Sequence, residues 1–145
     1  MQIFKPKLDF KSYGKVYLWI SPLFFLFLAL ERDFWKSIQF LLIQYGIITL
    51  VFLIIQWTTR YRLFEGKIYY RSFFLFGSIR IKDIHKIEVG RTLWVGMKPA
   101  TAEHGIIVYY NRYDEIYFSP QSNQEMVDAL LEINPDISVN YTSSG

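Results

Sequence analysis

The stretch that decides the architecture is Ser37–Trp57, SIQFLLIQYGIITLVFLIIQW, which carries no formal charge. A helix rises about 1.5 Å per residue, so roughly 20 residues cross a hydrocarbon core about 30 Å thick. The stretch reaches that length and reads as a membrane-spanning helix over residues 37–57. Gln44, Gly46 and Thr49 interrupt its apolar run. Inside a span, such residues serve helix–helix packing. Gln44 and Thr49 would hydrogen-bond the partner helix, and Gly46 would let it approach closely. The alternative for Gln44 is to line a polar path. Two helices cannot enclose a pore, so transport would require a homo-oligomer.

Immediately upstream, VYLWISPLFFLFLAL occupies residues 16–30. Extended back to Tyr13 it gives a first span over residues 13–30, at the short end of what crosses a bilayer. Tyr13, Tyr17 and Trp19 then fall at the interface, where amphipathic rings are favoured. Pro22 is expected near the helix start, where its missing N–H costs least. No small-x-small cleavage pattern precedes Glu31, and a second span follows at once, so a helical hairpin is read in preference to a cleaved leader. Its connector, Glu31 to Lys36, carries no net charge. Lys5, Lys7, Lys11 and Lys15 precede the hairpin, and Arg60 and Arg62 follow it. Positive flanks stay on the cytoplasmic side, so both termini are expected there, with the connector outside.

Across all 145 residues, 52% are apolar and 19% aromatic, and the apolar ones concentrate between Val16 and Trp57. The absence of cysteine excludes disulfides, thiolate metal sites and a cysteine nucleophile. The net charge of +3 is unevenly distributed. Residues 1–15 carry four lysines against one aspartate, residues 60–91 eight basic side chains against three acids, and residues 98–145 two against seven.

Beyond Thr59 the apolar run gives way to short alternating segments. Tyr61–Phe64 and Lys67–Phe74 flank Glu65-Gly66, a two-residue hairpin signal. In the second run Ile68, Tyr70, Ser72 and Phe74 share one face, and Tyr69, Arg71 and Phe73 the other. Gly77 is read as ending the run, after which Ile79 and Ile81, then Ile87 and Val89, alternate with charged residues. Residues 90–104 read as a long loop, and residues 105–110 and 115–119 as a hairpin around Asn111–Asp114. Ser122 and Glu125 form a capping box for a helix whose apolar stripe is Met126, Val127, Leu130, Leu131 and Ile133, ended by Pro135. The expected whole is a tail and two-helix membrane anchor over residues 1–59, an α+β domain over 60–139 and a tail over 140–145. That domain is a small antiparallel sheet or barrel capped by a C-terminal helix, a pleckstrin-homology-like (PH-like) plan.

The segments YRLFEGKIYYRS, IRIKDIHKIEVG, KPATA and GIIVYYNRYDEIYFSP, and the helix ending LLEINP, together resemble the short bacterial PH-domain family. The resemblance covers roughly residues 58–139. It implies a PH-like fold behind a multi-pass helical anchor in the bacterial inner membrane, and supplies no activity. PH domains of the phosphoinositide-binding type use a long basic loop between their first two strands. Here that connection is only Glu65-Gly66, which argues against such a pocket.

Chemistry-bearing constellations are few. His85 and His104 stand nineteen positions apart with no carboxylate pattern to complete a metal site. Asp114 and Glu115 would point to opposite sides of a strand. Glycine-rich phosphate loops and nucleophile elbows do not occur. The expectation is a non-enzyme without metal or cofactor. Aromatic and basic residues interleave between Arg60 and Arg91, a pattern that can stack nucleic-acid bases. Proximity to the bilayer explains it better, because anionic leaflets attract juxtamembrane Lys and Arg. Arg60, Arg62, Lys67, Arg80, Lys82 and Lys86 are the candidate membrane-facing set, with non-specific anionic lipid and a protein as partners and nucleic acid excluded. The leading reading is a membrane-anchored binding or scaffold module. The alternative, from the same resemblance, is a bacteriocin-immunity or envelope-stress protein.

Overall fold

The computed structural model describes residues 1–30, 33–93, 96 and 98–142. Trp94, Val95 and Met97 of the expected loop lie outside the described residues, as do Glu31 and Arg32 of the connector and Ser143–Gly145 of the tail. The chain forms two compact units: residues 9–54, and residues 1–8 together with 55–145.

The first unit is the helical hairpin. Helix α1 runs Phe10–Leu30 and α2 runs Phe34–Thr58, its last turn belonging to the second unit. Both begin three residues earlier than the apolar pattern predicts, because an aspartate caps each. Asp9 accepts from the Lys11 amide at 3.1 Å and the Ser12 hydroxyl at 2.7 Å, and Asp33 accepts from the Trp35 amide at 3.0 Å. A carboxylate there satisfies free amides and complements the helix dipole. The early start puts Pro22 in the helix interior, not near its beginning. The Leu18 carbonyl, which a residue other than proline at position 22 would meet with its N–H, instead accepts from the Ser21 hydroxyl at 2.7 Å.

Aromatic rungs join the two helices. Tyr13 meets Phe52 at 4.6 Å between centroids, Tyr17 stacks on Tyr45 at 5.2 Å, and Phe27 stacks on Phe40 at 4.2 Å. Elsewhere the helices are apolar all round, with Leu18, Leu23, Leu42, Ile43, Ile47 and Leu53 exposed. Such a surface suits a hydrocarbon solvent. Both helices are long and apolar enough to cross a membrane.

The second unit holds two four-stranded sheets that do not close into a barrel. In the first, β1 (Gln2–Phe4), β2 (Arg60–Phe64), β3 (Lys67–Ser72) and β4 (Leu75–Arg80) follow one another, all antiparallel. A short 3-10 turn, Ile81–Asp83, leads to the second sheet. There β5 (Ile84–Val89), β6 (Ile106–Tyr110) and β7 (Asp114–Phe118) are antiparallel, and β8 (Ser138–Tyr141) lies parallel against β5. Helix α3, Asn123–Ile133, starts at Ser122, whose hydroxyl accepts from the Glu125 amide as the capping box predicts. Its Met126, Val127 and Leu130 join Tyr61, Ile68, Ile87, Ile106, Val108 and Phe118 in one core shared by both sheets.

Three parts differ from the sequence reading. The expected N-terminal tail supplies β1, and beyond it the Lys7 amide donates to Ser119 and the Gln121 amide to Lys5, both at 2.8 Å. The N-terminal arm thus pairs with the first sheet and with the chain leaving the second. The expected C-terminal tail contributes Asn140 and Tyr141 to β8. Gly77 does not end a strand: it lies within β4 opposite Tyr70, whose hydroxyl occupies the space a Cβ would need.

A soluble fragment of residues 55–142 is expected to unfold cooperatively. Joining residues 1–8 to it through a flexible Gly-Ser linker should raise its stability by about 2 kcal/mol, from the regained ladder and arm hydrogen bonds. Equal stabilities by urea denaturation would contradict the structural role of β1. In either fragment Leu130→Asp, at a position with no exposure, should abolish the cooperative transition, since an unpaired buried carboxylate costs several kcal/mol.

Candidate functional site

Strand alternation divides the first sheet into a core side and an outer side. Tyr61, Leu63, Ile68, Tyr70 and Ile79 point inward and are buried. The outer side is therefore built from the intervening residues, and the register sets them in rows. Arg60 opposes Arg71, which opposes Phe76; Arg62 opposes Tyr69, which opposes Ser78; Phe64 opposes Lys67, which opposes Arg80. An open groove of about 710 Å³ crosses this surface, lined by Trp57, Thr58, Arg60, Arg62, Tyr69, Tyr70, Arg71, Phe76, Gly77 and Ser78.

The electrostatics of the groove are unbalanced. Among the described residues, no carboxylate pairs with Arg60, Arg62 or Arg71. Like charges directly opposite each other on a sheet are destabilising, so the Arg60–Arg71 pair works against the fold unless an anion lies between them. Guanidinium groups bind phosphate and carboxylate oxygens through two parallel N–H donors, and the neighbouring Tyr69 and Ser78 hydroxyls extend the donor set.

The six basic residues singled out by sequence do not form one surface. Arg60 and Arg62 line the groove. Lys67 stands at the far end of the same side, next to the Glu65-Gly66 turn. Arg80 is engaged by Asp83 at 2.6 Å, and Lys82 is exposed on the 3-10 turn. Lys86 belongs to the second sheet, where its ammonium binds Glu88 at 2.6 Å and lies over the Tyr109 ring. Arg71 completes the groove and was missing from that set. The signal was present in the period-two pattern that put Arg71 beside Tyr69, since the hairpin register carries both onto the side of Arg60 and Arg62.

Glu88 holds a compact network. It accepts from Lys86, from Arg91 at 3.0 Å and from the Tyr109 hydroxyl at 3.3 Å. The Lys86 hydrogen bond, against the opposing effect of burial and with help from Arg91, keeps the Glu88 carboxyl below its ordinary 4.5. The same bond raises the Lys86 ammonium. These charges are satisfied within the protein, unlike those of the groove.

In the hairpin, the Thr49 hydroxyl meets the Tyr17 hydroxyl at 2.6 Å and donates to the Tyr45 carbonyl. A Cβ on Gly46 would meet nothing within 4 Å. The Gln44 side-chain oxygen is buried without a hydrogen-bond partner among the described residues. His85 and His104 are both exposed. Among the described residues no group of three His, Asp or Glu side chains converges as a metal site.

Two sheets sharing one core with a C-terminal helix define a PH-like β-domain. Residues 59–134 match the bacterial PH domain family, and the chain belongs to it. Comparison with curated proteins and with solved structures found no match.

The Glu88 network makes a pH prediction. A carboxyl whose folded pKa is depressed stabilises fully above its unfolded value of 4.5 and loses that contribution as pH falls through the folded value. Glu88→Gln should lower the Tm at neutral pH and flatten its fall between about pH 5 and pH 3. A variant with the parental acid profile would contradict this assignment.

Proposed function

We propose that the protein is a membrane-anchored, non-catalytic binding module that holds the outer side of its first sheet against an anionic leaflet. The carrying observation is the arginine triad, Arg60, Arg62 and Arg71, without a carboxylate partner among the described residues, around a groove that begins at the last turn of α2. In this reading both helices span the bacterial inner membrane and both termini are cytoplasmic, as the basic flanks favour. Only Thr59 separates the end of α2 from β2, so the triad starts within one or two residues of the membrane exit. Each arginine near an anionic surface contributes about 1 kcal/mol, enough to orient a tethered domain without headgroup specificity. The family's PH fold is generally a binding module, which supports the absence of catalysis.

Topology is tested in intact cells, using the absence of native cysteine. A cysteine at Asp33 should react with a membrane-impermeant thiol reagent and one at Tyr113 should not. Labelling of Tyr113→Cys from outside would overturn the orientation.

Leaflet docking is tested with the full chain in nanodiscs, with an environment-sensitive fluorophore on Ser78→Cys. Its emission should shift to the blue as anionic lipid is added, and the shift should fade as salt rises, since screening acts over about 8 Å at physiological ionic strength. Replacing Arg60, Arg62 and Arg71 with Gln should remove the response. Replacing Arg80, Lys82 and Lys86 should leave most of it. An emission indifferent to lipid charge would reject the leaflet as the target and favour a protein partner.

A further inference from the structure

The connection between β3 and β4 is unusual for its position. Ser72 opposes Leu75, which leaves Phe73 and Phe74 as a two-residue turn. Such turns favour Gly, Asn or Asp, because the backbone enters conformations that bulky side chains resist. Phe73 sits at φ 50, in the left-handed region. The other two-residue hairpin turn, Glu65-Gly66, carries a charged residue and a glycine at its positive φ angles. Strain accepted at a local site together with a broken local rule is a signature of function rather than of folding.

The turn is also exposed and pinned. Phe73 is 49% exposed, Phe74 72% and Phe76 79%, and the first two rings touch each other at 5.2 Å. The Phe73 amide donates to the Thr58 hydroxyl at 3.0 Å, and the Thr59 and Ser72 hydroxyls meet at 2.8 Å. These bonds hold the turn level with Trp57, itself 79% exposed at the end of α2. Where α2 leaves a bilayer, Trp57 occupies the interfacial belt in which aromatic rings are favoured. Phe73 and Phe74 must then be at the same depth, with Arg60 and Arg71 beside them on the adjoining strands.

We propose that the Phe73–Phe74 turn, with Phe76, is a hydrophobic wedge that enters the leaflet at the headgroup–acyl boundary beside the end of α2. The occupant of this apolar patch is lipid, on two grounds: the patch is continuous with the end of a membrane-length helix, and arginines without a carboxylate partner among the described residues flank it. The inference rests on the leaflet reading above and deepens it. Arginine docking is electrostatic and screened by salt, whereas wedge insertion is hydrophobic and is not.

The test uses the full chain in nanodiscs whose lipids are spin-labelled at a shallow acyl position. The fluorophore is attached to Phe74→Cys or, for comparison, to Tyr113→Cys in the exposed β6–β7 turn. Quenching at position 74 should be severalfold that at position 113, in neutral as well as anionic bilayers, and should survive high salt. Quenching at position 74 no greater than at 113, with the Ser78 response to anionic lipid intact, would overturn the wedge and leave leaflet docking standing. Silence at both positions 74 and 78 would overturn both. Energy transfer between labelled copies at position 74 without lipid quenching would also overturn the wedge, because a second copy would then cover the turn. The Phe73→Ser/Phe74→Ser variant changes only exposed rings. Its Ser78 shift should fade at lower salt than in the parent, and an unchanged salt dependence would again contradict the wedge.

Discussion

The hydroxyl clamp at the end of α2 constrains everything that follows it. The Thr59 side chain donates back to the Ile55 carbonyl at 2.6 Å and meets Ser72 on the opposite flank of the β2–β3 hairpin, while Thr58 receives the Phe73 amide. Thr59 is fully buried, so this is an internal joint rather than a surface contact. A helix made almost entirely of apolar residues therefore passes into a sheet with no flexible linker.

A second joint keeps the two sheets together. The Tyr61 hydroxyl donates to the Pro99 carbonyl at 2.7 Å and accepts from the Ser119 amide, so a β2 side chain holds both the long loop and the end of β7. Burial pushes that hydroxyl up to about 12, which keeps it a neutral donor across the physiological range. The Ser119 hydroxyl accepts from the Thr101 and Ala102 amides, and the Thr101 hydroxyl donates to the Lys7 carbonyl. The N-terminal arm, the loop and both sheets thus meet in one satisfied polar cluster. Such clusters are stiff because every member would lose its partner on opening.

Legibility followed the range of the interactions. The Glu65-Gly66 turn and α3 could be read because their determinants are local: φ-positive residues in one case, a cap and an apolar stripe in the other. β1 has three residues and pairs with a strand nearly sixty positions later, and β8 pairs in parallel with β5 about fifty positions earlier. Neither leaves a periodic trace in its own short segment. Gly77 suggests a break because glycine weakens strands, yet its partner Tyr70 supplies the bulk it lacks. The Phe73–Phe74 turn escaped for the opposite reason: two phenylalanines look like strand, and only the register identifies them as a turn. The groove was half legible. Arg60 and Arg62 follow from their place after the apolar helix, while Arg71 joins them only through cross-strand pairing, and Lys86 is withdrawn by Glu88.

The functional account therefore rests on which cations are left over once internal partners are assigned. Arg80, Lys86 and Arg91 have carboxylates of their own, and Arg60, Arg62 and Arg71 have none among the described residues. The central claim is that lipid phosphate answers those three. Solid-state NMR measures it directly, through dephasing of arginine guanidinium carbons by lipid phosphorus in bilayers containing the full chain. The account predicts dephasing that disappears when Arg60, Arg62 and Arg71 are replaced by Gln, with Arg112 unaffected throughout. Guanidinium signals from those three arginines that feel no phosphorus would contradict it.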